Sequence, residues 1–220
     1  MSPRRRVEPG PTQVESVTDA VRRSILDGIA APGSPLREEE LAHSHEVSRH
    51  TVRAALAALA AEHLVRAEPY RGVRVAELDD AALDALQEMR AALEVEAIRL
   101  ARQRGASPDT IEVALDELAV AEASGDWIRT LRAHSAVHRT LVASADSPRI
   151  AEAYDALDGE IALLLSHIRP AYPPGALAAE HRDYVETVLR GPDAPAADAV
   201  RAHLAHSAAM IRVARNDHLE

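Results

Sequence analysis

The chain of 220 residues contains no cysteine and no phenylalanine, and all 25 of its basic residues are arginine. Without cysteine there can be no disulfide framework, no thiolate-ligated zinc, no thiol nucleophile and no iron–sulfur cluster. Glycine is scarce, at nine residues, and the abundance of Ala, Leu and Glu favours helices. No apolar run approaches the ~20 residues that a membrane-spanning helix needs. The longest, Ile161 to Leu165, lies between charged residues. The arginines at positions 4–6 have no apolar core behind them, so the start of the chain does not read as a secretion signal. These absences predict a soluble cytoplasmic protein with no membrane contact.

Charge is unevenly shared. Of a formal net charge of -10, residues 1–76 hold 11 Arg against 10 acidic residues, and residues 77–220 hold 14 against 25. The near-neutral front and the acidic back suggest two domains with different partners. A nucleic acid would be repelled by the back, so any such contact belongs to the front. The expected division is a disordered arm over 1–11, one domain over 12–76 and a second over 77–220.

In the front domain, apolar residues recur at helical spacing over 12–29, and the Pro and Gly of 30–35 end that helix. A short helix is expected over 36–45 and another after Ser48, a good N-cap, with Val52, Ala55, Leu56 and Leu59 as its buried stripe. Two short runs flank Pro69-Tyr70-Arg71-Gly72 and read as a hairpin. Helix-turn-helix proteins insert the start of the second helix into the major groove. Here that start presents Arg49 and Arg53 on one face, opposite Val52 and Leu56. Arginine grips guanine through a bidentate fork, and Ser48, His50 and Thr51 suit phosphate or base contacts. Arg71 and Gly72 could reach an adjacent minor groove or the backbone. The alternative is a merely solvated face.

Residues 25–75 resemble the winged helix-turn-helix of the GntR family of bacterial transcription regulators. The resemblance rests on Pro32-Gly33 before Leu36, Glu38 with Leu41-Ala42, Val47-Ser48-Arg49, Val52-Arg53 with Ala55-Leu56, and Arg71-Gly72 before Val75. It implies that Ser48, Arg49, His50, Arg53 and Gly72 touch operator DNA and that Arg37 lies close to the backbone. Three positions depart from the family pattern. His45 and Glu46 replace an apolar and a small residue at the tight turn, and His63 replaces the glycine that ends the recognition helix. A residue other than glycine at positive φ costs on the order of 1 kcal/mol.

The back domain reads as six helices, over about 79–104, 107–124, 126–145, 147–168, 176–190 and 195–215, forming an antiparallel bundle. The fold class is therefore mostly α: a winged helix-turn-helix followed by an all-helical domain. Seven of the 11 histidines lie in the back. His134 and His138 stand one turn apart on one helix face, with His181 and His203 on later helices. Such a set can build a metal site in a bundle, and nitrogen donors suit Zn, Ni, Cu or Fe better than Mg or Ca. The alternative for each is a surface or satisfied core histidine, the reading adopted for His167, His206 and His218.

Residues 80–210 resemble the FCD effector domain of FadR-type GntR regulators, through 88–101, 134–142, 180–191 and 199–207. The resemblance implies a divalent metal held by residues at positions 134, 138, 181 and 203, the first of which is usually Asp and here is His134. Four imidazoles would leave the metal charge uncompensated, favouring Zn or Ni and an anionic ligand. If His134 turns away, three histidines remain. Arg90 is where the family places a cavity arginine, which with the metal would clamp a small carboxylate effector. Equally, Arg90 could pair with Glu94, four residues on.

The leading expectation is a homodimeric regulator, a repressor by family default, that reads a pseudo-palindromic operator under control of that carboxylate. One alternative is the same regulator with a metal-free pocket for an apolar effector such as an acyl thioester. Another is a metal-dependent hydrolytic enzyme, for which no Glu-x-x-His pair or poised base is visible.

Overall fold

The structure, a computed structural model, describes residues 10–166, 173–191 and 193–217. Most of the expected arm, together with His167 and His218, lies outside the described residues. The fold is mostly helical, with one small sheet near the front.

Helix α1 (Gln13–Leu26) opens with a capping box. The Thr12 hydroxyl accepts from the Glu15 amide and the Glu15 carboxylate accepts from the Thr12 amide. It buries Val17, Val21 and Ile25. The helix ends a turn earlier than the spacing predicts: Gly28 turns left-handed at φ 76 and Ile29 is 79% exposed. Residues Pro35–Leu36 form a strand, β1, so Leu36 is extended where the sequence suggested the start of a helix; α2 begins only at Glu38 and runs to Ser44. Helix α3 (Arg49–Ala61) is capped by Ser48, whose hydroxyl accepts from the Thr51 amide at 3.1 Å. Its buried stripe is Val52, Ala55, Leu56 and Leu59, as expected.

Strands β2 (Val65–Glu68) and β3 (Gly72–Val75) form the wing, and β1 joins them in the antiparallel order β1-β3-β2. Val65 pairs with Val75 and Glu68 with Gly72. The turns contain the departures from family pattern: Glu46 sits at φ 54 and His63 at φ 58, both left-handed.

The remaining helices are α4 (Asp80–Arg104), α5 (Asp109–Ala123), α6 (Trp127–Ala143), α7 (Pro148–Asp155), α8 (Asp158–Ser166), α9 (Ala176–Arg190) and α10 (Asp193–Asp217). Asp79 caps α4 through the Ala82 amide at 2.8 Å, and Gly105 ends it at φ 65. Asp126 caps α6. Helix α4 packs against α10 and α6, and α5 against α6 and α9. Among the described residues there are seven helices here, not six, because the expected helix over 147–168 breaks at Ala156 and Leu157. At the start of α8 a Cβ on Gly159 would overlap the Glu62 carbonyl oxygen, so α8 starts flush against the end of α3.

One buried cluster runs continuously from Val17 and Leu59 in the front to Ile128, Leu131 and Ile161 behind. A second, containing Ile98, Leu118, Leu141, Val185 and Leu204, surrounds the histidines. No helix among the described residues is long and apolar enough to cross a membrane.

Candidate functional site

The buried face of α6 is apolar at Leu131, Val137 and Leu141 but carries His134 and His138 between them. Helix α9 brings His181 opposite, and α10 brings His203 alongside. A neighbouring carboxylate secures the start of α9: Glu122 on α5 accepts from the amides of Gly175, Leu177 and Ala178 at 2.8, 3.2 and 3.0 Å. Ring centroids of His134 and His138 are 4.8 Å apart, and those of His134 and His181 4.5 Å. The donor atoms of these three lie within 4.8 Å of one another, and all three are buried. His203 flanks the group, with its ring 4.9 Å from His181 and stacked at 4.2 Å on Tyr184. Its Nδ1 lies 3.3 Å from a Glu180 carboxylate oxygen. His206 faces solvent.

The partners of each ring decide which nitrogen carries its proton. Nδ1 of His138 lies 3.3 Å from Glu94 Oε2, and Nδ1 of His181 lies 2.8 Å from the Leu177 carbonyl oxygen. A carboxylate and a carbonyl can only accept, so both rings place the proton on Nδ1. Both Nε2 lone pairs are then bare, and they face one another at 3.2 Å. Two acceptors at that distance repel unless a cation lies between them. Burial, with the neighbouring His181 and His138 next, holds His134 well below the ordinary imidazole range. Burial likewise holds His181 well below it and lowers His138, in the latter against the pull of Glu94. A bridging proton is thereby disfavoured, whereas metal–imidazole bonds of ~2.0–2.1 Å reach both nitrogens. Nδ1 of His134 is also buried with no hydrogen-bond partner. The donor set fits a divalent transition metal.

Behind the rings lies a buried ionic knot. Arg90 is 3% exposed and Glu94 is 0% exposed. Arg90 Nη2 is 3.2 Å from Glu94 Oε1; its Nε donates to the Tyr154 hydroxyl at 3.3 Å and its Nη1 to Gln87 at 3.1 Å. Glu94 also accepts from the hydroxyls of Tyr154 and Tyr184, at 2.7 and 2.8 Å. Burial alone would raise the Glu94 carboxyl, but the adjacent His138 ring, the charge of Arg90 and the hydrogen bonds from His138 and Tyr154 hold it well below the carboxylate range. Arg90 thus pairs with Glu94, one of the two arrangements its spacing allowed, while Nη2 keeps an unused hydrogen-bonding direction.

Sequence reasoning did not find Tyr154, Tyr184 or Gln87. Gln87, Arg90 and Glu94 follow i, i+3, i+7 spacing, so a polar stripe on the buried face of α4 was the available signal. Tyr184 stands three residues after His181, on the same face.

At the front, Ser48 and His50 are exposed and Thr51 is partly so. The arginine side chains of α3 project outward, Arg49 60% and Arg53 64% exposed. One carboxylate, Glu38 on α2, holds both, at 3.7 Å from Arg49 and 2.8 Å from Arg53. Arg37 pairs with Glu40 at 3.2 Å. At the wing, Arg71 is exposed and 3.9 Å from Glu68, and Gly72 takes φ 81. The eight candidate DNA-contacting residues therefore lie on the exposed start of α3, its flank and the wing. The clamp formed by Glu38 was not anticipated, although it lies on the helix before the one it restrains.

Residues 13–75 match the profile of the gntR family of bacterial regulatory proteins, and residues 85–206 match the FCD domain. The chain belongs to the GntR family and carries an FCD domain. It is 28% identical over 195 residues, 88% of its length and 86% of the relative's, to the "Probable D-xylose utilization operon transcriptional repressor" of Paenarthrobacter nicotinovorans. It is also 28% identical over 207 residues to an uncharacterized HTH-type transcriptional regulator in an unstable DNA locus of Streptomyces ambofaciens, covering 89% and 83% of the two chains. The fold is shared with a GntR-type transcriptional regulator structure from Rhodococcus sp. RHA1, at a TM-score of 0.75 and 24% identity over 91% of this chain and 98% of that one. This GntR protein is a transcription regulator, as are its relatives, and not an enzyme.

Proposed function

We propose that this GntR regulator is a cytoplasmic homodimeric repressor of the FadR type, with a DNA-reading unit over 12–76 and an effector unit over 77–220. The reader grips a pseudo-palindromic operator through Arg37, Ser48, Arg49, His50, Thr51, Arg53, Arg71 and Gly72. The effector unit holds Zn or Ni through His134, His138, His181 and His203, and a small carboxylate effector modulates operator binding. The observation that carries the metal is the pair of bare Nε2 atoms 3.2 Å apart, each ring fixed by a partner on its other nitrogen.

Glu94 holds the His138 ring by its Nδ1–H, and the Leu177 carbonyl does the same for His181. When bound, the metal supplies a positive centre that attracts an anion. Arg90 and Glu94 nearly cancel each other's charge, so the imidazoles leave that centre uncompensated. This favours a carboxylate, with Arg90 Nη2 as its second anchor.

The test is elemental analysis of untagged protein after exhaustive dialysis, with operator binding read on duplexes that the protein selects from a random library. About one Zn or Ni per chain, absent from His138→Ala, is expected. Arg49→Ala with Arg53→Ala is expected to weaken selected-duplex binding by ~1–3 kcal/mol for each arginine–base interaction removed. Protein that holds no metal and takes up neither Zn nor Ni overturns the metal centre and points to an apolar effector in a metal-free pocket.

A further inference from the structure

The elbow formed by the break between α7 and α8 is tied both to the histidine site and to the DNA-reading unit. Tyr154, at the end of α7, has its hydroxyl inside the ionic knot, accepting from Arg90 and donating to Glu94. Asp155 accepts from Arg139 Nε at 2.6 Å, and Arg139 is the neighbour of His138. Asp158, which opens α8, is hydrogen-bonded by Ser135, the neighbour of His134. Gly159 then rests directly on the Glu62 carbonyl, in the residue that ends recognition helix α3.

Glu62 is itself a junction. Its carboxylate takes two hydrogen bonds from Arg22 on α1, at 2.8 and 2.6 Å, and the next residue is the left-handed His63 that leads into the wing. Gly159 has no left-handed backbone that would call for glycine; only the neighbouring carbonyl excludes a side chain there. Beside it lies a cleft of about 340 Å³, lined by Arg22, Glu62, Arg132, Ser135 and Asp158.

We propose that the α7–α8 elbow is the element through which the histidine site sets the position of the DNA-reading unit, with Gly159 as the positioning residue that bears on the end of α3. Both residues that follow the α6 histidines in sequence anchor the elbow, so a displacement of α6 at the site reaches Asp155 and Asp158 directly. Tyr154 ties the same elbow to the ionic knot. Close packing at Gly159 leaves no slack, so the elbow cannot move without moving Glu62, and with it α3 and the wing. The inference rests on the proposed metal and effector site only for what drives the elbow, not for the packing of Gly159 on Glu62.

The absence of cysteine allows this coupling to be tested with site-specific labels. Spin labels on Ser44→Cys and Ala136→Cys, with labelled protein diluted into excess unlabelled protein, report the distance between the two units within one chain. Selected-duplex binding is measured in parallel, with Zn and with a chelator. A methyl group on Gly159 would overlap the Glu62 carbonyl oxygen and must retreat by about 1 Å or more. Gly159→Ala is therefore expected to shift the label distance by that order and to bring the ratio of duplex affinities with and without Zn to one, while Zn stoichiometry stays that of the unsubstituted protein. Ser135→Ala with Arg139→Ala, which frees the elbow from α6 and leaves Gly159 in place, is expected to abolish the same ratio, and it decides the matter should Gly159→Ala not fold. An unchanged label distance in Gly159→Ala, or an unchanged Zn ratio in the double variant, overturns the proposal. If duplex binding by the unsubstituted protein does not respond to Zn, the label distance alone decides the role of Gly159, and the metal reading is decided separately by the elemental analysis.

Discussion

Glu38 and Glu94 have nearly the same kind of partners and opposite consequences. Each carboxylate holds two cationic or proton-donating groups: Glu38 takes Arg49 and Arg53, and Glu94 takes Arg90 and His138. Glu38 does so at the surface, beside arginines more than half exposed, where water competes and the pairing contributes little. Glu94 does so with no exposure, so every one of its lone pairs must be satisfied by protein, and two tyrosines complete the shell. The surface clamp is exchangeable, and a phosphate can take the place of the carboxylate. The buried knot is not, and it fixes the ring orientation that a metal would need. One region is built to let go, the other to stay put.

Breaking the buried glutamate is expected to have the largest effect. Glu94→Ala leaves Arg90 charged and unpaired in the interior, which typically costs about 3–5 kcal/mol. Urea unfolding would show it, together with weakened Zn binding by a free His138 ring. A destabilisation below about 1 kcal/mol would mean that water reaches Arg90 and that the knot is not closed.

Acid is expected to attack the same region next. His134, His138 and His181 have native pKa values lowered by burial, so above their unfolded value of ~6.5 both states are neutral and stability is unaffected. Below ~6.5 the unfolded chain binds protons that the native bundle refuses, and stability falls, by up to about 1.4 kcal/mol per pH unit for each histidine. Melting in chelator from pH 8 to 5 would trace this, and His181→Asn should flatten the slope. A parallel slope in that variant would assign the acid sensitivity elsewhere.

The smallest effect belongs to the surface clamp. Glu38→Ala is expected to change stability by less than about 1 kcal/mol and to tighten binding to selected duplexes, because Arg49 and Arg53 no longer have an internal competitor. Weaker binding would show instead that Glu38 holds the arginines in their reading pose.

What could be read from sequence follows the range of the forces involved. Ser48, Asp79, Gly105 and Asp126 mark helix ends through interactions a few residues away, and all four stand at helix ends in the structure. The histidines were visible because i, i+4 spacing places His134 and His138 on one face before any tertiary structure exists. The strand Pro35–Leu36 was not, since its reason to be a strand is the pairing of Leu36 with Val73, far along the chain. The break after Asp155 has only Asp158-Gly159 as a local signal, and the approach of Gly159 to Glu62 is between residues far apart in the chain. Glu94 was seen as the partner of Arg90 and no more, because Tyr154 and Tyr184 reach it from 60 and 90 positions away.

The carboxylate of Glu122 has a bearing on how this chain can change over generations. By accepting from three amides at the start of α9, it does from another helix what an N-cap residue ordinarily does from the preceding one. The first turn of the helix that carries His181 is thereby held by a residue 53 positions before Gly175. Loss of Glu122 alone would therefore unseat the histidine from another helix, with no change in the helix that carries it.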